Sequence, residues 1–328
     1  MSPNFFWPVY INLETELNSL MTNIHVDDAQ LNVYSSKISD LLLRASIEIE
    51  SITKEIFKNQ FGTLKKNFKF DFDGLDVLNP IYFLEVKEVI VSSVNCFQTN
   101  RTILPFAKNT KNTITQKDTY GWNNAYQNLK HDRANSFTFG SLKYLFDALA
   151  ALFLLNIYFK DEIQYMGKQI EATKSFKESQ GSTIFSIKLD NNWGFDDYSR
   201  FARYPKANPS CTFIPIPELN SYNSKAPTMR EFNNIRKRSV LERLTKLVQD
   251  DPKMFEGKSP EEADILFKKN SFHADDFKAA GEYLAKQNRL NPGSAFNVDY
   301  EAHIIRSTPP EPIPEPDLFE FLVPHQST

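Results

Sequence analysis

The sequence predicts a mainly α-helical protein with a small extended insertion, and three observations lead to this prediction. Apolar residues recur at helical spacing along several stretches, most clearly between Ser35 and Phe57. A nearly unbroken apolar stretch from Tyr144 to Phe159 has the length of a buried core helix and is too short to span a membrane. Strand-like alternation is confined to short stretches, so we expect helices to form most of the fold.

The elements of the N-terminal third follow from apolar spacing and helix-start signals. A helix is expected from Tyr10 to Ile24, and a second opens at Ser35-Ser36 and ends near Phe57. Between Phe68 and Thr102 the pattern loosens, and Val86 to Phe97 is typical of a strand or of extended chain. Asn109 to Thr119 is polar and rich in threonine, which predicts a mobile loop.

Two further helices are predicted after this loop. The first takes Asp118 or Thr119 as its cap. One face of this helix carries four residues: Trp122, Tyr126, Leu129 and Arg133. The second starts at Gly140-Ser141, runs through the apolar stretch to Phe159, and is extended by an amphipathic segment from Asp161 to Lys177.

The second half of the chain changes character twice. Two short apolar stretches, Ile184 to Leu189 and Thr212 to Ile216, are candidate strands of a small hairpin or of an elaborate loop. Helical spacing returns from Met229 to Gln249 and from Asp275 to Arg289. A tail from Thr308 to Pro316 is expected to be extended polyproline, because its prolines exclude helix and central strand.

Length bounds the domain organisation. A chain of 328 residues exceeds the size at which a single core usually stops growing. We therefore expect a helical bundle over residues 1–180, an extended or β insertion or linker over 181–223, and a helical region with the Pro-rich tail over 224–328.

Composition narrows the function classes. Acidic residues number 41 against 38 basic ones, so a polyanion partner requires a local basic patch. Two distant cysteines and five scattered histidines argue against a disulfide framework and against structural zinc, so no metal site is expected, and only one made of carboxylates stays open. Glycine loops that cradle phosphates are missing, so no cofactor is expected. With no secretion signal at the N-terminus, we expect a cytoplasmic protein that does not enter membranes.

One segment, from Trp122 to Arg133, is chemically unusual. It places the imidazole of His131 between two cations, Lys130 and Arg133, near the end of a helix. Three amide side chains share the face of His131: Asn124, Gln127 and Asn128. A histidine can move a proton near neutral pH, and flanking cations can hold a phosphate and stabilise charge that develops on it. Metal-free RNA cleavage needs this combination.

The same segment also has a purely structural interpretation. Cations near a helix C-terminus complement the helix dipole, and His131 can cap free carbonyl groups there. The neighbouring helices favour a functional reading, because Arg44 falls within a largely apolar predicted face. An unpaired buried cation is costly, and Glu48, four residues further on, is its nearest candidate partner.

Three sequence segments carry a family resemblance. They are Leu41 to Glu50, the pattern Trp122-x3-Tyr126-x3-Lys130-His131-x-Arg133, and Leu145-x3-Leu149-Ala150-Ala151-Leu152. Together they resemble HEPN-like helical proteins of bacterial defence and toxin systems, over roughly Ser35 to Glu162. The resemblance implies an up-and-down helical bundle, usually dimeric. It also implies RNA cleavage without metal, by an arginine and a histidine brought together across the dimer.

The resemblance implies roles for individual residues. His131 would activate the 2′-hydroxyl or transfer the proton, and the cations Arg133, Lys130 and Arg44 would hold the scissile phosphate. Three further residues would support binding: Asn128, Tyr126 and Glu48. The superfamily places an arginine four to six residues before the histidine, whereas here Lys130 and Arg133 flank it. This departure indicates a divergent or catalytically silent branch.

Two functional hypotheses follow. The first is a metal-independent endoribonuclease of a bacterial defence or toxin system, a homodimer whose two His131 segments line one cleft. The alternative is a non-catalytic helical module that binds RNA, a nucleotide or a protein partner. In that case the C-terminal region, including Leu318 to Val323, contributes to docking. Weaker candidates for RNA contact are the basic run Arg236 to Arg238 and the aromatic stretch Trp193 to Tyr204.

Overall fold

The computed structural model describes residues 4–94, 96–168, 175–190, 207–271, 274–286 and 298–307. The fold is mainly helical with small antiparallel sheets, which confirms the predicted class. The helices are α1 (Phe6–Met21), α2 (Ser36–Phe61), α3 (Asp76–Tyr82), α4 (Gly121–His131), α5 (Leu142–Lys160), α6 (Leu219–Asp250), α7 (Pro260–Ser271) and α8 (Ala274–Lys286). The strands are β1 (Val89–Val91), β2 (Arg101–Ile103), β3 (Thr110–Lys111), β4 (Asp118–Thr119), β5 (Gln164–Lys168), β6 (Phe185–Ile187), β7 (Phe213–Pro217) and β8 (Asp299–Ile304).

Helices α2 and α5 form the centre of the core, and α1 and α4 pack against both. α2 begins where the sequence predicts, because the Ser35 hydroxyl oxygen accepts a hydrogen bond from the Ile38 amide at 3.1 Å. Of the helices in the described ranges, α5 alone is long and apolar enough to cross a membrane. However, 78% of that stretch is buried inside the fold, as expected of the predicted core helix.

The small sheets tie distant parts of the chain together. β1 pairs antiparallel with β2 and β6, and β8 pairs antiparallel with β5 and β7. A parallel bridge between Leu189 and Phe213 links the two groups. The predicted strands at 184–189 and 212–216 are thus confirmed, but they do not form a hairpin with each other.

Several predicted boundaries are wrong: α6, for example, begins at Leu219 instead of Met229. At two boundaries the type of element also changes. The amphipathic helix expected from Asp161 to Lys177 is replaced at its start by β5, because Asp161 adopts a left-handed conformation (φ 47°) that ends α5. The partner of β5 is β8, more than a hundred residues away, so no local pattern reveals it. α4 begins at Gly121, since Asp118 and Thr119 pair with β3 as a short strand.

The C-terminal helices have a small core of their own. α6 packs against α8 through Phe232, Ala280 and Leu284. The guanidinium of Arg243 lies 2.7 Å from the buried carboxylate of Asp276. The predicted polyproline tail, the segment Leu318 to Val323 and the aromatic stretch Trp193 to Tyr204 lie outside the described residues.

Candidate functional site

Helix α4 is held firmly along its length, which fixes the position of its C-terminal end. Trp122, Tyr126 and Leu129 are buried on one face, as the spacing predicts. The Trp122 indole nitrogen donates a hydrogen bond to the Pro105 carbonyl at 2.9 Å. After α4 the chain passes close to α2, where a Cβ on Gly140 would collide with Ser39. The candidate residues therefore sit on a rigid support.

His131 is the last residue of α4, and its side chain is exposed to solvent. Within the part of the chain that the structure describes, its ring forms no hydrogen bond. The imidazole is therefore open to an external ligand or to a second copy. It is not enclosed in a cleft of its own subunit.

Each of the two cations beside His131 contacts another side chain of the described residues. The Lys130 ammonium lies 3.2 Å from the hydroxyl oxygen of Tyr126 and 5.1 Å from the centre of that ring. The Arg133 guanidinium forms an ion pair at 2.7 Å with Asp40 of α2. Both members of this pair are exposed, 43% for Arg133 and 57% for Asp40, so solvent screens the interaction.

Arg44 differs from the sequence interpretation. Its side chain is exposed, and its guanidinium lies 2.5 Å from Glu16 of α1, where Glu48 was the expected partner. The expectation of a buried arginine in an apolar face is wrong, because Arg44 shares an exposed stripe of α2 with Asp40 and Ile47. Glu48 is half-buried, and burial raises its pKa although the charge of Arg44 opposes the rise.

The supporting residues have structural partners. Tyr126 is buried, and Asn128 is tied to the loop between β3 and β4. The Asn128 amide donates to the Thr113 hydroxyl and to the Asn124 carbonyl, both at 2.8 Å. The Asn124 side-chain oxygen accepts the Thr113 backbone N–H at 3.1 Å. These amides fasten the loop against α4.

His131, Lys130 and Arg133 are all exposed at the end of α4, where Lys130 is directed to Tyr126 and Arg133 to Asp40. The structure links Arg133 to the α2 stripe that also carries Arg44, because Asp40 and Arg44 are four residues apart. Sequence reasoning missed three anchoring partners: Asp40, Glu16 and Thr113. Only Asp40 had a detectable signal, its spacing from Arg44.

The charges at the end of α4 nearly cancel. Lys130 and Arg133 contribute two positive charges, while Asp40 and the exposed Asp132 contribute two negative ones. A phosphate that enters must compete with Asp40 for Arg133. The described residues contain no group of three or more His, Cys, Asp or Glu placed to hold a metal ion.

The second basic candidate lies on α6. Arg236 stacks over Phe277 at 5.1 Å from the ring centre, while Lys237 and Arg238 are exposed. This arrangement fits a solvated helix face, one side of which packs on α8.

Comparisons with protein-family models, with curated proteins and with solved structures find no match to this chain. The HEPN-like resemblance therefore rests on the sequence segments themselves, and the roles that it implies stay predictions.

Proposed function

We propose that this chain is a HEPN-like helical module that binds single-stranded RNA through the exposed end of α4. One observation carries the proposal. The His131 imidazole stands in solvent between Lys130 and Arg133, without a hydrogen bond to any described part of the chain. Three side chains that can contact phosphate are therefore presented within four consecutive residues, at the end of α4 and just beyond it.

The existing contacts of the two cations are weak enough to be exchanged. An exposed ion pair such as Arg133–Asp40 contributes only about 0–1 kcal/mol, so a phosphate oxygen can replace Asp40 at small cost. Lys130 uses one of its three donors on Tyr126, which leaves two for a ligand. Because Asp40 and Asp132 offset the cations, we expect salt-sensitive affinity in the non-specific range, with Kd roughly 10⁻⁴–10⁻⁶ M.

A second candidate function is metal-independent RNA cleavage by a homodimer. It is favoured by the exposed His131 ring, which has no partner among the described residues and is therefore available to a site shared with a second copy. Ile47, 53% exposed on the stripe that carries Arg44, offers an apolar contact for that copy. His131 of one copy would then accept the 2′-hydroxyl proton as that oxygen attacks phosphorus, and the protonated His131 of the second copy would donate a proton to the 5′-oxygen as the phosphorus–oxygen bond to it breaks.

A single experiment separates the two functions. Fluorescein-labelled single-stranded RNA is incubated with the full chain in low-salt EDTA buffer. Binding is measured by fluorescence anisotropy, and the length of the RNA is then measured on a denaturing gel. A binding module raises the anisotropy and leaves the RNA intact. A ribonuclease shortens the RNA, and His131→Ala abolishes the shortening without changing the circular dichroism spectrum. If the RNA is neither bound nor shortened, both functions are contradicted.

A further inference from the structure

A small pocket lies at the far end of α5, away from the end of α4. Asn156 is fourteen residues beyond Leu142, which is about 21 Å along the helix. The pocket volume is about 230 Å³, and its walls come from the start of α1, the end of α5, β5 and β7. Trp7 and Phe213 provide aromatic walls, and Asn156 lines the interior.

Asn156 is the unusual residue of this pocket. Asn156 is 99% buried in a mostly apolar helix, and its amide nitrogen donates to the Leu152 carbonyl at 2.9 Å. Its side-chain oxygen is buried and has no hydrogen-bond partner among the described residues. A buried acceptor without a donor costs about 1–3 kcal/mol. The position therefore calls for a donor, and none of the residues that the structure describes supplies one.

Two other lining residues have unused donors. The Asn4 oxygen accepts the Phe6 and Trp7 backbone N–H groups at 3.0 and 3.2 Å, but its amide nitrogen has no partner among the described residues. The indole N–H of Trp7 likewise donates to nothing in the described ranges. The pocket thus combines one buried acceptor with two available donors.

The charge and the size of the pocket limit which class of ligand it can bind. Lys160 and Glu162 at the pocket form an ion pair with each other at 2.8 Å, so their charges offset each other and no net charge favours an ionic ligand. The volume far exceeds the roughly 10–15 Å³ that one water needs. It falls below the roughly 300–1,000 Å³ of pockets for drug-sized molecules. Aromatic walls favour a flat ring.

We propose that this pocket binds a neutral, planar nitrogen heterocycle of nucleobase size, with a ring N–H or amino group donating to the Asn156 side-chain oxygen. Ring acceptors take hydrogen bonds from Asn4 and Trp7. The proposal is independent of RNA binding at the end of α4, because it uses different residues and a different end of α5.

The test uses the full chain with adenine, hypoxanthine, cytosine and uracil as probes, and indole as a ring of similar size with a single donor. Thermal unfolding and tryptophan fluorescence are measured against probe concentration. We expect at least one base to raise Tm and quench the Trp7 emission, with weaker effects from indole. Asn156→Leu should weaken that binding about tenfold, the worth of one hydrogen bond, while leaving the unliganded protein at least as stable.

Two variants keep the test decisive. Trp7→Phe retains the ring but loses the indole donor, so the affinity should fall and the quenching should disappear. Ser46→Ala also removes a buried oxygen without a partner, but Ser46 does not line the pocket, so binding should be unchanged. A wild-type Tm that no base raises, which means that only water fills the pocket, overturns the proposal. So does equal affinity in wild type, Asn156→Leu and Trp7→Phe.

Discussion

Two polar clusters of this fold are opposites in their surroundings. In the first, the carboxylate of Glu14 is 2% exposed and accepts hydrogen bonds from Tyr10, from Ser182 and from the backbone N–H groups of Thr183 and Ile184. In the second, at the end of α4, every side chain is exposed, and His131 contacts no described polar group.

The difference separates groups that hold the fold together from groups that are free for a ligand. Glu14 on α1 ties down the turn that leads into β6, and its removal would leave several buried donors unsatisfied. The end of α4 contributes little to folding, because exposed ion pairs and solvated side chains are worth little. Residues that can be changed without loss of stability are the ones available for binding.

The largest effect is expected at Glu14. Glu14→Ala should lower the free energy of unfolding by about 3 kcal/mol or more, since buried backbone and hydroxyl donors lose their acceptor. Urea denaturation measures this loss. Glu16→Ala, two residues further along α1, is the matched control: it removes only exposed ion pairs and should cost less than about 1 kcal/mol. Equal losses of unfolding free energy in the two variants would contradict the difference between buried and exposed polar groups.

The pH dependence of stability at Lys87 is a second test of the contrast between buried and exposed polar groups. This lysine is fully buried, its ammonium donates to the Cys211 carbonyl, and burial lowers its pKa to about 7. The unfolded chain keeps the proton until about pH 10. Between pH 7 and 9 the unfolded state therefore binds more protons, and the stability contribution of Lys87 rises with pH.

In the variant Lys87→Met, the free energy of unfolding does not gain this contribution as the pH rises. The difference in unfolding free energy between wild type and variant should shift in favour of wild type by about 2–3 kcal/mol from pH 7 to pH 9. Denaturation curves at several pH values measure it. If the unfolding free energies of the two proteins change in parallel with pH across this range, a lowered pKa of Lys87 is contradicted.

A small effect on stability with a clear effect on binding is expected at Asp40. Asp40→Asn breaks the exposed pair with Arg133, so unfolding should change by less than about 1 kcal/mol. The guanidinium loses its competitor, and RNA should bind more tightly in low salt. Anisotropy titration provides the measurement. Weaker binding by Asp40→Asn would show that Arg133 must be held by Asp40 to act.

The smallest effect on stability is expected at His131. His131→Ala should change the free energy of unfolding by no more than about 0.5 kcal/mol, because the ring is exposed and forms no hydrogen bond with described residues. Thermal or urea unfolding checks this. A loss above 1 kcal/mol would indicate that the imidazole is structural.

Sequence patterns predicted the helices well and the long-range pairings poorly. The cap at Ser35 and the apolar length of α5 are local signals, and both are confirmed. Local spacing predicts a helix where β5 lies, because the partner strand β8 is distant in the chain and leaves no local signal. Whether Arg44 pairs with Glu48 or with Glu16 depends on how α1 packs beside α2, and helical spacing does not encode this packing.

The most direct test of RNA binding at the end of α4 compares two charge-matched variants. The first carries Lys130→Ala and Arg133→Ala, and the second carries Lys65→Ala and Lys253→Ala, which remove two exposed cations elsewhere. We expect the first to weaken single-stranded RNA binding by roughly tenfold in low salt and to reduce the salt slope by about 1.4, while the second stays close to wild type. Equal affinity of the two variants would contradict an RNA contact at Lys130 and Arg133.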